Sequence, residues 1–202
     1  MVDPYDITNF ARSQPEMEEF FLFCVAVAGK KATMIAGKID EFLSGAAAAE
    51  TPFEYVRRLE GEGRLGGRLV EVRLGKYGIL PRAYPQAATR EGLVHAPVDE
   101  LEMIPGVGPK TARFFVLHTR PGARVAVIDT HVLKYLKFRG HRVPNGFPTG
   151  RAYAGLEEIM LDEMDRSGMD RAEFDLAIWS HYASNGAYPL PPVPPRRRGR
   201  VS

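Results

Sequence analysis

The stretch Leu101-Glu-Met-Ile-Pro-Gly-Val-Gly-Pro-Lys-Thr-Ala-Arg113 limits the folds open to this chain more than any other. Gly106 and Gly108 stand two apart between apolar residues. That spacing marks a tight connection between two helices, where glycine supplies a positive φ or a close backbone approach. Pro109 suits the first turn of the second helix, because the amide it lacks would be unpaired there anyway. Lys110 then rides on that turn beside free backbone N–H groups, an arrangement that favours phosphate. A second stretch, Val127-Ile-Asp-Thr-His131, puts Asp129 nineteen residues beyond the lysine, in an N-cap role for a further helix.

The remaining pattern is helical throughout, and the fold class it predicts is all-α. Residues 16–28 read as a buried helix, apolar on every side through Phe20, Phe21, Leu22, Phe23, Cys24 and Val25. Residues 30–43 carry Met34, Ile35, Ile39, Phe42 and Leu43 at three-and-four spacing. Thr51-Pro-Phe-Glu54 is a capping box that opens a short helix to about residue 60. A helix over 64–77, a turn over 79–85 and a helix over 86–92 follow. The hairpin helices are expected over 99–104 and 109–118, with an extended link at 125–128. Further helices are expected over 130–139, from Thr149 to about 166, and from the capping box Asp170-x-x-Glu173 to about 182. Residues 1–188 are long enough for one domain or two small lobes, with an arm over 1–15 packed on the body. Residues 189–202, rich in proline and arginine, read as a flexible tail without core residues.

The chain has 202 residues and a net charge of +2. Charge is segregated rather than excessive. Residues 105–145 hold eight Lys or Arg against Asp129 alone, and residues 157–175 hold eight acids against Arg166 and Arg171. A basic block around the hairpin suits a face that meets phosphates. Arg196, Arg197, Arg198 and Arg200 extend that basic character into the tail. Cys24, the only cysteine, excludes an internal disulfide and a four-cysteine cluster or zinc site. It reads as buried filling. No signal peptide or membrane span is apparent, since the apolar run from Phe20 to Ala28 is too short.

Pro105-Gly-Val-Gly-Pro-Lys-Thr-Ala112 followed by Val127-Ile-Asp-Thr-His131 resembles the helix-hairpin-helix DNA glycosylases, the superfamily that includes endonuclease III and the 8-oxoguanine DNA glycosylases. Among them the chain looks most like the compact archaeal-type 8-oxoguanine enzymes. Glu19 to Ala28 is similar to their first core helix and Asp175 to Trp179 to their last. The resemblance implies a two-lobed helical fold and removal of a damaged base from duplex DNA, followed by strand cleavage at the resulting abasic site. It implies no cofactor and no metal. In that superfamily the lysine and aspartate of these two motifs are the catalytic pair, and they carry over as Lys110 and Asp129. The implied DNA contacts are Gly106, Val107, Gly108, Lys110, Thr111, Arg113, His131 and Lys134. The expected setting is a monomer in the cytoplasm, associated with the nucleoid and away from membranes.

The chemistry asks particular things of these residues. An attacking lysine must be neutral, whereas an amine in water titrates near 10.4. Desolvation and a helix N-terminus favour the neutral form, and a close carboxylate opposes it. The target nucleotide must leave the base stack before its sugar can be reached. Asp175 and Trp179 lie four apart on one helical face, an acceptor for a purine N–H beside a ring for stacking. Phe23, Ala28 and Lys30 complete the candidate base pocket.

Overall fold

The computed structural model describes residues 2–194. Among them it is all-helical, with ten α-helices, one 3-10 turn and no strand. The order is α1 (Gln14–Val27), α2 (Ala32–Leu43), α3 (Pro52–Gly61), α4 (Leu65–Glu71), α5 (Leu80–Thr89), the 3-10 turn Leu93–His95, α6 (Val98–Leu101), α7 (Pro109–Thr119), α8 (Thr130–Phe138), α9 (Gly150–Ser167) and α10 (Arg171–Ala183). The chain divides into two compact units, Met1–Pro121 with α1 to α7 and Gly122–Ser202 with α8 to α10. The tail arginines Arg196, Arg197, Arg198 and Arg200 lie outside the described residues.

In the first unit, α1 is buried on every side, and α2, α3, α5 and α7 pack around it. Aromatic rings fill the contacts. Phe21 meets Phe115 edge-on at 5.3 Å between centroids, and Phe20 stacks on Phe115 at 5.9 Å. Even the carboxylate of Glu18 is buried, because it accepts the Phe53 amide at 3.0 Å and so caps α3. The N-terminal arm is packed as expected. Val2 and Ile7 are buried, and Arg12 donates to the carbonyls of Ile7, Asn9 and His118.

The second unit packs α8, α9 and α10 around Tyr135, Leu136, Met160, Met164, Phe174 and Ile178. Residues 125–128 belong to no helix and pair with no strand. Their polar groups go to α9 instead. The Ala126 amide donates to Glu157 at 3.1 Å, and the Tyr153 hydroxyl takes the Ile128 amide at 3.0 Å while donating to the Ala126 carbonyl at 3.1 Å. Glu163, fully buried, accepts from the Tyr135 hydroxyl and pairs with Arg139 at 3.0 Å and Arg166 at 3.2 Å. Arg139 and Arg166 also donate to the carbonyls of Val193 and Pro194. With Leu190 and Val193 packed on the core, residues 189–194 are docked rather than loose. The apolar residues between the prolines, too few to form a core, are enough to join one.

Three expected boundaries differ. The turn expected over 79–85 is the first half of α5, which contains both Pro81 and Pro85. Pro81 occupies the first turn, where no amide is needed. Pro85 forgoes a bond to the Pro81 carbonyl, and the burial of Leu80, Ala83, Tyr84 and Ala87 offsets that loss. The Tyr84 hydroxyl also donates to the Leu22 carbonyl at 2.9 Å. The helix expected over 64–77 stops at Glu71, because Arg73, Gly75 and Lys76 all have positive φ. That turn drops Val72 and Leu74 into the core. The first hairpin helix is a single turn, Val98–Leu101, continued by tight turns that bury Ile104 and Val107. Asp170 caps α10 by accepting from Ala172 and Glu173, but no return bond from Glu173 completes the expected box.

Gly106 is where the hairpin depends on glycine. Its φ is +79°, and a Cβ there would lie 2.3 Å from Cγ2 of Ile79. Gly106→Ala should therefore destabilise the protein by about 2 kcal/mol or more, combining a left-handed penalty of about 1–2 with overpacking. Adding Ile79→Ala should relieve the overpacking part relative to the Ile79→Ala single variant. Urea denaturation of the four proteins measures both terms. A Gly106→Ala protein as stable as wild type would remove the stated reason for glycine.

Candidate nucleic-acid interface

The hairpin lies wholly in the first unit. Leu101, Ile104 and Val107 anchor it in the core, and the Val107 amide donates to the Ile104 carbonyl at 3.0 Å. Gly108 is extended, with φ −94° and ψ −179°, and forms the N-cap of α7. Its carbonyl accepts the Ala112 amide at 3.0 Å, so α7 starts at Pro109 as the sequence predicts. Lys110 is the second residue of α7, and first-turn amides of a helix have no intrahelical acceptor. Its amine lies 4.4 Å from the Phe114 ring centroid, and that ring is 6.1 Å from Phe20 of α1. The lysine is thus half-buried, its amine over aromatic carbon. The Phe114 contact was readable from the four-residue spacing, since such residues share a helix face.

Other predicted contacts take more local roles. Thr111 is buried. Arg113 pairs with Glu102 at 2.6 Å and donates to the Pro109 carbonyl, so it braces one arm of the hairpin against the other. Phe23 is 1% exposed and stacks on Phe20 at 6.0 Å. It is packed as core, away from any opening among the described residues of its unit. Ala28 is the C-cap residue of α1, and Lys30 donates to the Leu74 carbonyl at 2.7 Å.

The second unit brings together Asp129, His131, Lys134, Asp175 and Trp179 on two packed helices, α8 and α10. Asp129 caps α8, its Oδ1 accepting the His131 amide at 2.8 Å and the Val132 amide at 2.9 Å. The His131 ring meets Trp179 edge-on at 6.4 Å and lies flat against Tyr182 at 6.0 Å. Its Nδ1 is buried without a hydrogen-bond partner. The Lys134 amine lies 5.8 Å from the Tyr182 ring centroid. Trp179 is 39% exposed, a large ring half open to solvent, whereas Asp175, one turn earlier, is buried at 6%. Sequence reasoning missed Tyr182. Its partners are some fifty residues away in α8, and no local spacing announces them.

The basic block is partly consumed within the protein. Arg113 is paired with Glu102, Arg120 donates to the carbonyls of Val94 and Ala96, Arg124 pairs with Asp165 and Arg139 with Glu163. Burial holds the Arg120 guanidinium below its ordinary value. Lys134, Lys137 and Arg142 are exposed. Among the described residues no three His, Cys, Asp or Glu side chains are grouped to hold a metal ion. No helix there is long and apolar enough to cross a membrane. No family model matches the chain, and no solved structure matches it.

The Asp129 cap separates structure from chemistry. Asn accepts the same two amides, so Asp129→Asn should keep stability within about 0.5 kcal/mol, whereas Asp129→Ala should cost about 1 kcal/mol. Thermal unfolding of the two variants checks this. A large loss in Asp129→Asn would mean that the negative charge, rather than the cap, is what the fold requires.

Proposed function

We propose that the protein is a base-excision DNA glycosylase with abasic-site lyase activity, built on the two-lobed helix-hairpin-helix glycosylase plan and acting on duplex DNA. The observation that supports it most is the setting of Lys110. A hairpin held by a left-handed glycine presents this amine in the first turn of α7, half-buried over Phe114. The Phe114 ring, itself packed against Phe20, holds the amine in one place, as a nucleophile that must meet a single carbon requires.

In this reading the hairpin binds the DNA backbone through the amides about Gly106, Gly108 and Thr111, while Val107, its own amide taken by the Ile104 carbonyl, anchors the turn. The damaged nucleotide, 8-oxoguanine as the first candidate, is extruded from the duplex. The Lys110 electron pair attacks the anomeric carbon, the bond from that carbon to the base breaks, and the base leaves. The bond from the anomeric carbon to the ring oxygen then breaks, the oxygen takes a proton and the nitrogen lone pair closes a Schiff base, after which loss of a proton from the neighbouring sugar carbon expels the 3′ phosphate. Asp129 stabilises positive charge developing on the sugar. Trp179 stacks on the extruded base and Asp175 accepts a purine N–H. The expected setting remains a nucleoid-associated protein acting without cofactor.

Borohydride trapping on duplexes carrying a panel of modified bases and an abasic site tests this directly. Wild type should give a covalent adduct, and Lys110→Gln should give none while binding undamaged duplex within roughly a few-fold, since one contact is small beside a whole basic face. Binding without any adduct would identify a noncatalytic hairpin module. An adduct confined to a non-damage modified base would identify a different substrate for the same chemistry.

The pocket assignment has its own control. Trp179→Ala should lower excision about 5- to 150-fold, the equivalent of about 1–3 kcal/mol of base stacking. Asp175→Ala should impair removal of 8-oxoguanine far more than cleavage at an abasic site, which has no base to read. Equal losses on both substrates would make Asp175 a structural residue.

A further inference from the structure

Beside α2, α3 and α4 lies an open cavity of about 630 Å³ that no step of the proposed reaction uses. The guanidinium-bearing residues Arg58, Arg64 and Arg68 line it, together with Tyr55, Gly67 and Glu71. Two of the arginines are fastened to the fold. Arg68 closes the C-terminal end of α2, donating to the Glu41 carbonyl, to the Phe42 carbonyl at 3.4 Å and to the Ser44 hydroxyl at 3.3 Å. An arginine on free helix-end carbonyls is an ordinary cap. Arg58 meets both oxygens of Glu50, at 2.8 and 2.9 Å, and its guanidinium lies 5.1 Å from the Tyr55 ring centroid. Glu50 is 13% exposed and also accepts the Ala47 amide, so this carboxylate belongs to the fold.

The donors left over go to two carboxylates of another kind. Nη1 of Arg58 and Nη1 of Arg64 share Glu62, at 3.5 and 2.8 Å, and Nη1 of Arg68 holds Glu71 at 2.9 Å. Glu62 is exposed, and the Glu71 side chain is 66% exposed. Exposed pairs of this kind add little stability, because water competes for both partners. They balance the charge of the cluster but do not account for its cavity. Nor does the fold account for Gly67. It sits inside α4 without a positive φ, and open space lies where its Cβ would be. Glycine is a poor helix former. Where neither backbone nor packing requires it, its remaining effect is to keep the cavity open.

We propose that this cavity binds a phosphate monoester, whose place Glu62 and Glu71 hold in its absence. A dianionic phosphate replaces the two carboxylates charge for charge. Its oxygens receive the donors of Arg58, Arg64 and Arg68 that those carboxylates now occupy. Guanidinium forks match phosphate geometry, and their charged hydrogen bonds are stronger than neutral ones. The single charge of a phosphodiester would leave one guanidinium uncompensated. The site asks nothing of Lys110, so it stands or falls independently of the Schiff-base reading.

Isothermal titration of the full chain with inorganic phosphate at pH 8, where the dianion prevails, tests it. Binding should saturate with a Kd of about 1 mM or lower. Glu62→Gln and Glu71→Gln should each tighten binding by up to about 5-fold, since each removes an exposed internal competitor. Arg64→Gln should weaken it about 10-fold, at the lower end of what a charged hydrogen bond contributes. Gly67→Leu should raise the melting temperature and abolish binding, a pairing that a purely structural role for Gly67 would not produce. No saturation up to about 10 mM phosphate, in wild type and in the Glu62→Gln/Glu71→Gln double variant, would overturn the proposal. So would full binding by folded Gly67→Leu; should that variant not fold, unchanged affinity in Arg64→Gln decides against it. Succinate bound as tightly as phosphate would overturn the choice of ligand class. A nucleoside 5′-monophosphate and a 5′-phosphorylated oligonucleotide, each against its dephosphorylated form, separate a free nucleotide from a strand end as the source. No preference for either phosphorylated form would also overturn the proposal.

Discussion

A helix without a polar face has to be enclosed, and α1 imposes that demand on the first unit. Ten of its fourteen residues are buried, from Met17 through Val27. Four other helices supply the enclosure, and most of the large rings of the unit meet there. Enclosure also strands the carbonyls near the C-terminal end of α1, where no further turn of helix can pair them. Lys76 takes the Val25 carbonyl and the Lys30 amide takes that of Val27. The left-handed loop before α5 follows from this, since it must deliver Lys76 to α1 and Leu74 to the core at once. α7 is bound by the same demand through Phe115, so the helix bearing Lys110 is placed by packing on α1 rather than by the hairpin alone.

Most helices were legible because their signals are local. Thr51-Pro-Phe-Glu54, Asp129 and Asp170 each mark a start through atoms within three residues. α5 was not legible. Pro81 and Pro85 speak locally for a turn, and what overrides them is the burial of Tyr84 and its neighbours against partners sixty residues away. α4 failed in the opposite sense, since nothing in Arg73 or Lys76 announces a left-handed backbone and only the carbonyls waiting on distant lysines explain it. The candidate site divides in the same way. The hairpin glycines and Lys110 are written contiguously, whereas Tyr182 beneath His131 is joined to it only by folding.

Counting charges along the chain overstates the surface available to an anionic partner. Arg113, Arg124 and Arg139 meet Glu102, Asp165 and Glu163, so the acidic stretch late in the chain is in part the counter-charge of the basic one. Among the basic block's residues in the second unit that form none of these pairs, Lys134, Lys137 and Arg142 are exposed, on α8 and the loop after it. The charge that faces solvent is thus more local than the sequence block.

The segment before α8 has no strand beside it and borrows its hydrogen bonds from α9. Tyr153 and Glu157 hold the backbone of Ala126 and Ile128, and Asp129 is the next residue. The aim of that aspartate is therefore inherited from side chains on a helix that bears none of the candidate site. Variation within α9 acts as a remote adjustment of Asp129, and a lineage that altered Tyr153 would have to find another support for the same bend before its carboxylate could return to its bearing.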